Sequence, residues 1–220
     1  MAIAINGSSN TITGLAVGGL PDGSVTAADL ASGVAFNPSS FVVLEQFYLL
    51  CDGRSVSTSN GTVTTTNVTA TQAATDAHAT LNGSSISYQP PTGTTEVIYE
   101  FMTAVQENTD SNRLLSTFAV QIDGTTIEES KDNIFLSANQ YVDHLRVKFP
   151  IRIKSSGSDD NDTGDRAGWS SAKTLSVIAN RYSSSYALLF HTKRYWGNSG
   201  TTGTDVVKRP YVGITAIGTP

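Results

Sequence analysis

Apolar and polar residues alternate along most of the chain after residue 40. The clearest case is residues 141–154, YVDHLRVKFPIRIK, in which Leu145, Val147 and Ile151 alternate with mostly basic side chains. A period of two indicates a half-buried strand. We expect its basic face to be solvated or to meet acidic groups on a neighbour. Pro150 lies on that face, which indicates an edge position or a bulge.

Several shorter runs share this pattern, are rich in Val, Ile, Thr, Tyr and Phe, and are separated by turn residues. The dipeptides Asn82-Gly83 and Asp123-Gly124 favour the positive φ angles of tight hairpins. We therefore predict an all-β jelly-roll sandwich of about eight to ten antiparallel strands. The further predicted strands are Phe41–Leu50, Thr62–Thr69, Ser84–Tyr88, Glu96–Gln106, Leu114–Ile122, Thr174–Tyr182, Tyr186–Tyr195 and Tyr211–Ile217.

The first 40 residues have a different composition, with small residues, many glycines and no aromatic residue before Phe36. Within residues 19–33, GLPDGSVTAADLASG, we predict a turn followed by one short helix around Ala27–Ser32, with Gly33 placed to end it. A helix this short needs packing from outside the segment. We expect the apolar residues of residues 20–34 to dock either on the same domain or on another subunit or the surface of a larger assembly. They are Leu20, Val25, Leu30 and Val34.

These patterns divide the chain into an extended N-terminal anchoring arm, residues 1–40, and a jelly-roll domain, residues 41–220. A chain of 220 residues suits one main domain and an extension. Charged residues make up only 15% of it, and the formal net charge is -5 without a dense basic cluster. The chain therefore lacks the basic patch that is typical of a nucleic-acid-binding protein.

The N-terminus lacks the basic and apolar regions of a signal peptide, and the apolar run at residues 41–50 is about half a membrane span. We expect a chain made in the cytoplasm without membrane insertion. Cys51 is the single cysteine, which excludes an intramolecular disulfide. We expect it to behave as a small buried hydrophobic residue.

No motif in the sequence indicates catalysis or a cofactor. The N-terminal glycines lack the lysine of a phosphate-binding loop and the strand and helix of a dinucleotide fold. In the polar stretch Ser155–Ser171, predicted as an exposed loop, residues 159–164 resemble half of a calcium loop, but Ser170 replaces its final Glu. A solvated acidic loop and weak cation binding both remain open there. The acidic residues are Asp159, Asp160, Asp162 and Asp165.

Histidines and late aromatic residues are the remaining candidates. His78, His144 and His191 have no metal-ligand spacing, and we expect the last two on the outer face of strands or at an interface. The aromatic residues could stack on a sugar or pack in the core and at subunit contacts. They are Tyr182, Tyr186, Tyr195, Trp196 and Tyr211, of which Tyr195 and Trp196 are the predicted glycan contacts.

Five stretches resemble structural and fibre-associated proteins of marine tailed bacteriophages. The segment at residues 19–33 resembles their common N-terminus. ISYQPPTGTTEVIYEFMTAVQ, FAVQIDGTTI, KTLSVIANRYSSSYALLFHTKRYWG and RPYVGITAIG resemble their trimeric heads, which are similar to the tumour-necrosis-factor and complement-head jelly rolls. The resemblance covers residues 14–33 and 84–217.

The resemblance implies a homotrimer attached to a virion by its N-terminal arm, with no catalytic residues. Because the chain lacks a repetitive shaft, a capsid decoration protein or short head fibre fits better than a long fibre. The expected partners are the chain itself and other virion proteins of capsid or tail. The alternative is a tail-associated module that recognises host surface glycans.

Overall fold

The computed structural model describes residues 4–6, 11–13, 42–107, 114–136, 142–195 and 204–219. The chain divides into two compact units, Met1–Ser39 and Ser40–Pro220. In the first unit, β1 (Ala4–Asn6) and β2 (Thr11–Thr13) form an antiparallel hairpin. The sequence pattern did not indicate this hairpin. The predicted helix at Ala27–Ser32 lies outside the described residues.

The second unit contains the remaining strands and two short 3-10 helices. The strands are β3 (Val42–Leu50), β4 (Ser55–Thr58), β5 (Gly61–Thr64), β6 (Gln72–Ala73), β7 (Ala79–Thr80), β8 (Ile86–Tyr88), β9 (Thr94–Glu107), β10 (Leu114–Ile122), β11 (Thr125–Thr126), β12 (Asp132–Leu136), β13 (Val142–Arg152), β14 (Lys173–Arg181), β15 (Leu188–Phe190), β16 (Thr192–Tyr195), β17 (Thr204–Val207) and β18 (Tyr211–Gly218). The 3-10 helices span Glu128–Ser130 and Ser184–Tyr186.

Two antiparallel sheets of six strands each form a sandwich. The first sheet runs β11-β10-β14-β7, with β12 also paired to β10 and β8 to β14. The second runs β3-β18-β9-β15-β6, with β13 also paired to β9. Strands β4–β5 and β16–β17 form separate two-stranded ribbons. The predicted all-β, jelly-roll-like sandwich is confirmed, although the described residues hold more strands than the eight to ten predicted, because several strands of two to five residues were not expected.

Alternating side chains of both sheets meet in one hydrophobic core. From the second sheet, Phe101 and Ile214 are buried, and from the first sheet Val120 and Val177 are buried in the same cluster. Tyr99 is also fully buried, and its hydroxyl donates a hydrogen bond to the Ser84 carbonyl at 2.5 Å. Burial raises the pKa of Tyr99 well above its ordinary value, so the ring remains neutral.

Strand β13 lies at an edge of the second sheet, because β9 is its strand partner in the described part of the chain. Leu145, Val147 and Ile151 face the core, as the alternation predicted. Pro150 is opposite Ile98 in an unshifted register, so the predicted edge position is confirmed and the bulge is not found.

The turn predictions hold to different degrees. Asp123 and Gly124 have φ angles of 50° and 79° and form the two-residue loop between β10 and β11. Gly83 has a φ of 80°, but the flanking strands β7 and β8 both pair with β14 and not with each other. Asn82-Gly83 is therefore a turn within one sheet and not a hairpin.

The predicted strand Tyr186–Tyr195 is wrong as a single element. His191 has a left-handed backbone, with a φ of 63°, and separates β15 from β16. As a result, β15 stays in the second sheet while β16 pairs with β17 in a separate ribbon. Phe190, His191 and Thr192 are all buried, so the alternation breaks at the bend, but no glycine or proline marks that position in the sequence.

The segment Ser155–Ser171 is exposed over residues 155–159, as predicted, but residues 164–166 and Trp169 are buried. Arg166 is only 2% exposed, and Trp169 is buried with its indole N–H donating to the Tyr88 carbonyl at 3.0 Å. A loop of polar residues can pack in this way when its charges are paired and its backbone groups are hydrogen-bonded.

Candidate functional site

On the outer face of the second sheet, one edge of the Tyr48 ring fills the space beside a glycine. Gly213 on β18 is opposite Tyr48 on β3 and Glu100 on β9, and Lys148 on β13 is opposite Glu100. A Cβ added to Gly213 would approach Tyr48 Cδ1 to 2.3 Å and Cε1 to 2.6 Å, so the ring occupies the space above the glycine. Because glycine has no side chain, this edge of the ring can approach the sheet closely.

Polar contacts hold the far end of this ring. The Tyr48 hydroxyl donates to Glu100 Oε1 at 2.9 Å, and Lys148 Nζ lies 3.3 Å from the same oxygen. The tyrosine nevertheless remains 53% exposed. One edge of the ring is therefore packed against the sheet while the rest of the side chain remains open to solvent.

A second row of residues, on the same face and next to the row of Tyr48, Gly213 and Glu100, borders a depression in the sheet surface. Tyr211 on β18 is opposite Met102 on β9, and Arg146 on β13 is opposite Met102 from the other side. Tyr211 is 38% exposed. We call the resulting hollow, of about 360 Å³, the outer-face depression. It is lined by Tyr48, Glu100, Phe101, Met102, Arg146, Val147, Lys148, Tyr211, Val212 and Gly213.

The outer-face depression combines two tyrosines with one carboxylate and two cationic groups. Such a set can stack on an apolar ligand face and bind its polar groups, because tyrosine offers both a ring and a hydroxyl. Sequence reasoning named Tyr211 among the aromatic candidates and placed Arg146 and Lys148 on one basic face. It missed Tyr48 and Glu100, since only the strand order brings them next to those residues.

The residues predicted to carry binding are only partly described. The predicted anchoring residues Leu20, Val25, Leu30 and Val34 lie outside the described residues, as does Trp196. Tyr195 ends β16, where the structure describes the backbone alone.

The late aromatic residues do not form a single cluster. Tyr182 and Tyr186 contact each other edge to face, with ring centroids 5.5 Å apart. Tyr182 follows β14 of the first sheet, and its backbone N–H donates to the Leu115 carbonyl of β10. Tyr211 belongs to the second sheet. The Tyr182–Tyr186 pair and Tyr211 therefore belong to different parts of the sandwich.

The acidic loop uses its carboxylates internally. Asp160 accepts the backbone N–H of Asp162 at 2.9 Å, which is the main cause of its lowered pKa. Asp165 pairs with Arg152. Asp159 accepts the backbone N–H of Ala167 at 2.8 Å.

Within the described ranges, no group of three or more His, Cys, Asp or Glu side chains could hold a metal ion. In the acidic loop, arginine side chains and backbone N–H groups occupy several of the oxygens that a cation would need. Fewer oxygens are thus left for a cation, and the choice between a solvated acidic loop and weak cation binding stays a prediction.

His191 is completely buried, which contradicts its predicted outer-face or interface position. Its Nδ1 lies 2.8 Å from the Thr103 hydroxyl oxygen, and its Nε2 lies 3.3 Å from Gln72 Oε1. Burial lowers its pKa from 6.5 to about 4, because a charged imidazole would lose its hydration. By contrast, His78 is exposed and lies 3.0 Å from the Thr117 hydroxyl oxygen.

Cys51 is buried, as the sequence analysis predicted. Its thiol donates to the Gly83 carbonyl at 3.2 Å. Burial, reinforced by the nearby charge of Asp52, raises its pKa to about 12. The sulfur therefore remains a thiol and packs as a small side chain.

Comparison with known proteins gives no assignment for this chain: no family model matches it, and no curated protein matches it significantly. In the part of the chain that the structure describes, no helix has the length and apolar character needed to cross a membrane.

Proposed function

We propose that this chain is a non-enzymatic structural protein of a tailed-phage virion. In this proposal it is a homotrimeric capsid decoration protein or short head fibre, attached through residues 1–40. The proposal rests on the resemblance of residues 14–33 and 84–217 to fibre-associated phage proteins. The observation that carries it is the division of the chain into a small N-terminal unit, Met1–Ser39, and a jelly-roll-like sandwich, Ser40–Pro220.

Self-association of the sandwich is supported by apolar side chains at its surface. Phe135 is 57% exposed, Val43 is 56% exposed, and Val207 is 45% exposed. Burying such side chains between subunits adds stability that a weakly charged sandwich without disulfides cannot obtain from ion pairs alone. The light-scattering mass of the purified chain should be three times that of one subunit.

Attachment is tested by deleting residues 1–35. We expect the shortened chain to remain a folded trimer and to fail to join virions, while the full chain joins them. Cryo-electron microscopy of the particles then distinguishes a position on the capsid lattice from one at the tail. Loss of folding in the shortened chain would show that the segment belongs to the sandwich, and normal incorporation would refute anchoring by the arm.

The second candidate function is recognition of host surface glycans by a tail-associated module. It is favoured by the solvent-exposed tyrosines of the outer-face depression. The sequence-based contacts Tyr195 and Trp196 stay predictions. Their test is Trp196→Ala, which should abolish binding to host polysaccharide without changing the oligomeric mass.

A further inference from the structure

The ring of Tyr48 is ordered before any ligand arrives. Gly213 leaves room for the Cδ1–Cε1 edge of the ring, and Glu100 accepts the hydrogen bond of its hydroxyl. A side chain that is already fixed loses little rotamer freedom when a ligand stacks on it. Its open face is therefore a preformed stacking surface.

The composition of the depression favours a polar ligand over a protein surface. The cores of protein interfaces are depleted in lysine and glutamate, whereas Lys148 and Glu100 both line this hollow. A small-ligand site typically combines apolar walls with a few polar groups, and its volume begins near 300 Å³. The outer-face depression, at about 360 Å³, has both properties.

The charges in the depression leave one cation available for a ligand. Lys148 is paired with Glu100 at 3.3 Å. Arg146 is exposed and makes no ion pair with the residues that the structure describes. A guanidinium binds a carboxylate through two parallel hydrogen bonds, which also fixes the ligand's orientation.

We infer that the outer-face depression binds an acidic saccharide. The apolar face of a sugar ring stacks on Tyr48 or Tyr211, and the sugar carboxylate pairs with Arg146. This inference rests on the second candidate function, glycan recognition, and gives it a site other than Tyr195 and Trp196.

Isothermal titration of the full chain with hexagalacturonate, and with maltohexaose as the neutral counterpart, tests the site. We expect hexagalacturonate to bind at least tenfold more tightly than maltohexaose. Arg146→Gln should remove this preference, because it deletes the charge and keeps polar atoms. Tyr48→Ala and Tyr211→Ala should each weaken binding about tenfold, since each removes a stacking surface.

Two further variants separate stacking from general surface effects. Gly213→Ala should weaken binding because its methyl group displaces the Tyr48 ring while leaving the tyrosine in the sequence. Tyr182→Ala is the matched control, since it deletes an exposed tyrosine of the other sheet, and it should leave binding unchanged. Melting temperatures of all variants show whether they fold.

Three results would overturn the inference. The first is that the folded chain binds neither sugar, and the second is that it binds both sugars equally. The third is a changed oligomeric mass of the Tyr48→Ala variant, because this would make the face a subunit contact. If host polysaccharide still binds and depends on Trp196, glycan recognition stands and only this site is wrong. If no polysaccharide binds, glycan recognition fails too, whereas incorporation into virions remains a separate measurement of the structural role.

Discussion

Gly83 should be one of the positions least tolerant of an added methyl group. Its φ of 80° lies in the left-handed region, and an added Cβ would lie 2.9 Å from both Pro210 Cγ and Val68 Cγ2 and 3.0 Å from Cys51 Cβ. All three neighbours are buried, so none can swing into solvent. Gly83→Ala therefore combines backbone strain with overpacking.

The two contributions can be separated with a second glycine. Gly124 has almost the same φ, 79°, but an added Cβ there would meet no atom within 4 Å. Left-handed backbone costs an alanine about 1–2 kcal/mol, partly offset by the lower entropy of its unfolded chain. Gly124→Ala should therefore lower the free energy of unfolding by about 1 kcal/mol.

Overpacking a dense core adds about 1–3 kcal/mol. Gly83→Ala should therefore lower the free energy of unfolding by about 2–4 kcal/mol, which corresponds to a melting temperature lower by roughly 4–16 °C for a domain of this size. Urea unfolding followed by circular dichroism measures both variants. Equal losses in Gly83→Ala and Gly124→Ala would refute the packing contribution, and a stabilised Gly83→Ala would refute the geometry.

Three other predictions follow from the described contacts. Buried His191 stays neutral in the folded protein down to about pH 4, whereas it binds a proton near pH 6.5 in the unfolded chain. The free energy of unfolding should therefore fall as the pH is lowered from 6.5 towards 4, by roughly 3 kcal/mol in total. His191→Asn should flatten this slope in urea titrations; an unchanged slope would assign it to other groups. Asp123→Ala should cost about 1–3 kcal/mol by removing the 2.7 Å acceptor of the Thr174 N–H, whereas Asp123→Asn should retain most of the stability. Calcium or a chelator should leave the melting temperature unchanged, and a rise with calcium would support the cation-binding alternative for residues 159–165.

The sequence predicts strands well where one face of the strand is buried and the other is exposed to solvent. Leu114–Ile122 matches β10 at both ends, and β13 differs from its predicted run by a residue or two. Period-two alternation is sufficient there because the core requires every second side chain. Very short strands such as β6 and β7 contain too few residues to show a period.

The candidate site was less predictable than the strands. Tyr48 and Glu100 are far apart in sequence. They meet because β18 lies between β3 and β9 and places Gly213, which has no side chain, directly between them. Strand order is not encoded in the local pattern. The buried position of His191 was also missed, since neither glycine nor proline marks the left-handed bend between β15 and β16 in the sequence.

The edge strand β13 affects how the protein behaves when many copies are crowded together. An exposed edge can pair with the edge of another molecule and extend the sheet without limit. Here Pro150 lacks the N–H that such pairing needs, and the exposed cations Arg146, Lys148 and Arg152 would face the same charges on an incoming copy. The edge is thus protected against growth into fibrous aggregates, and concentrated solutions should remain free of them.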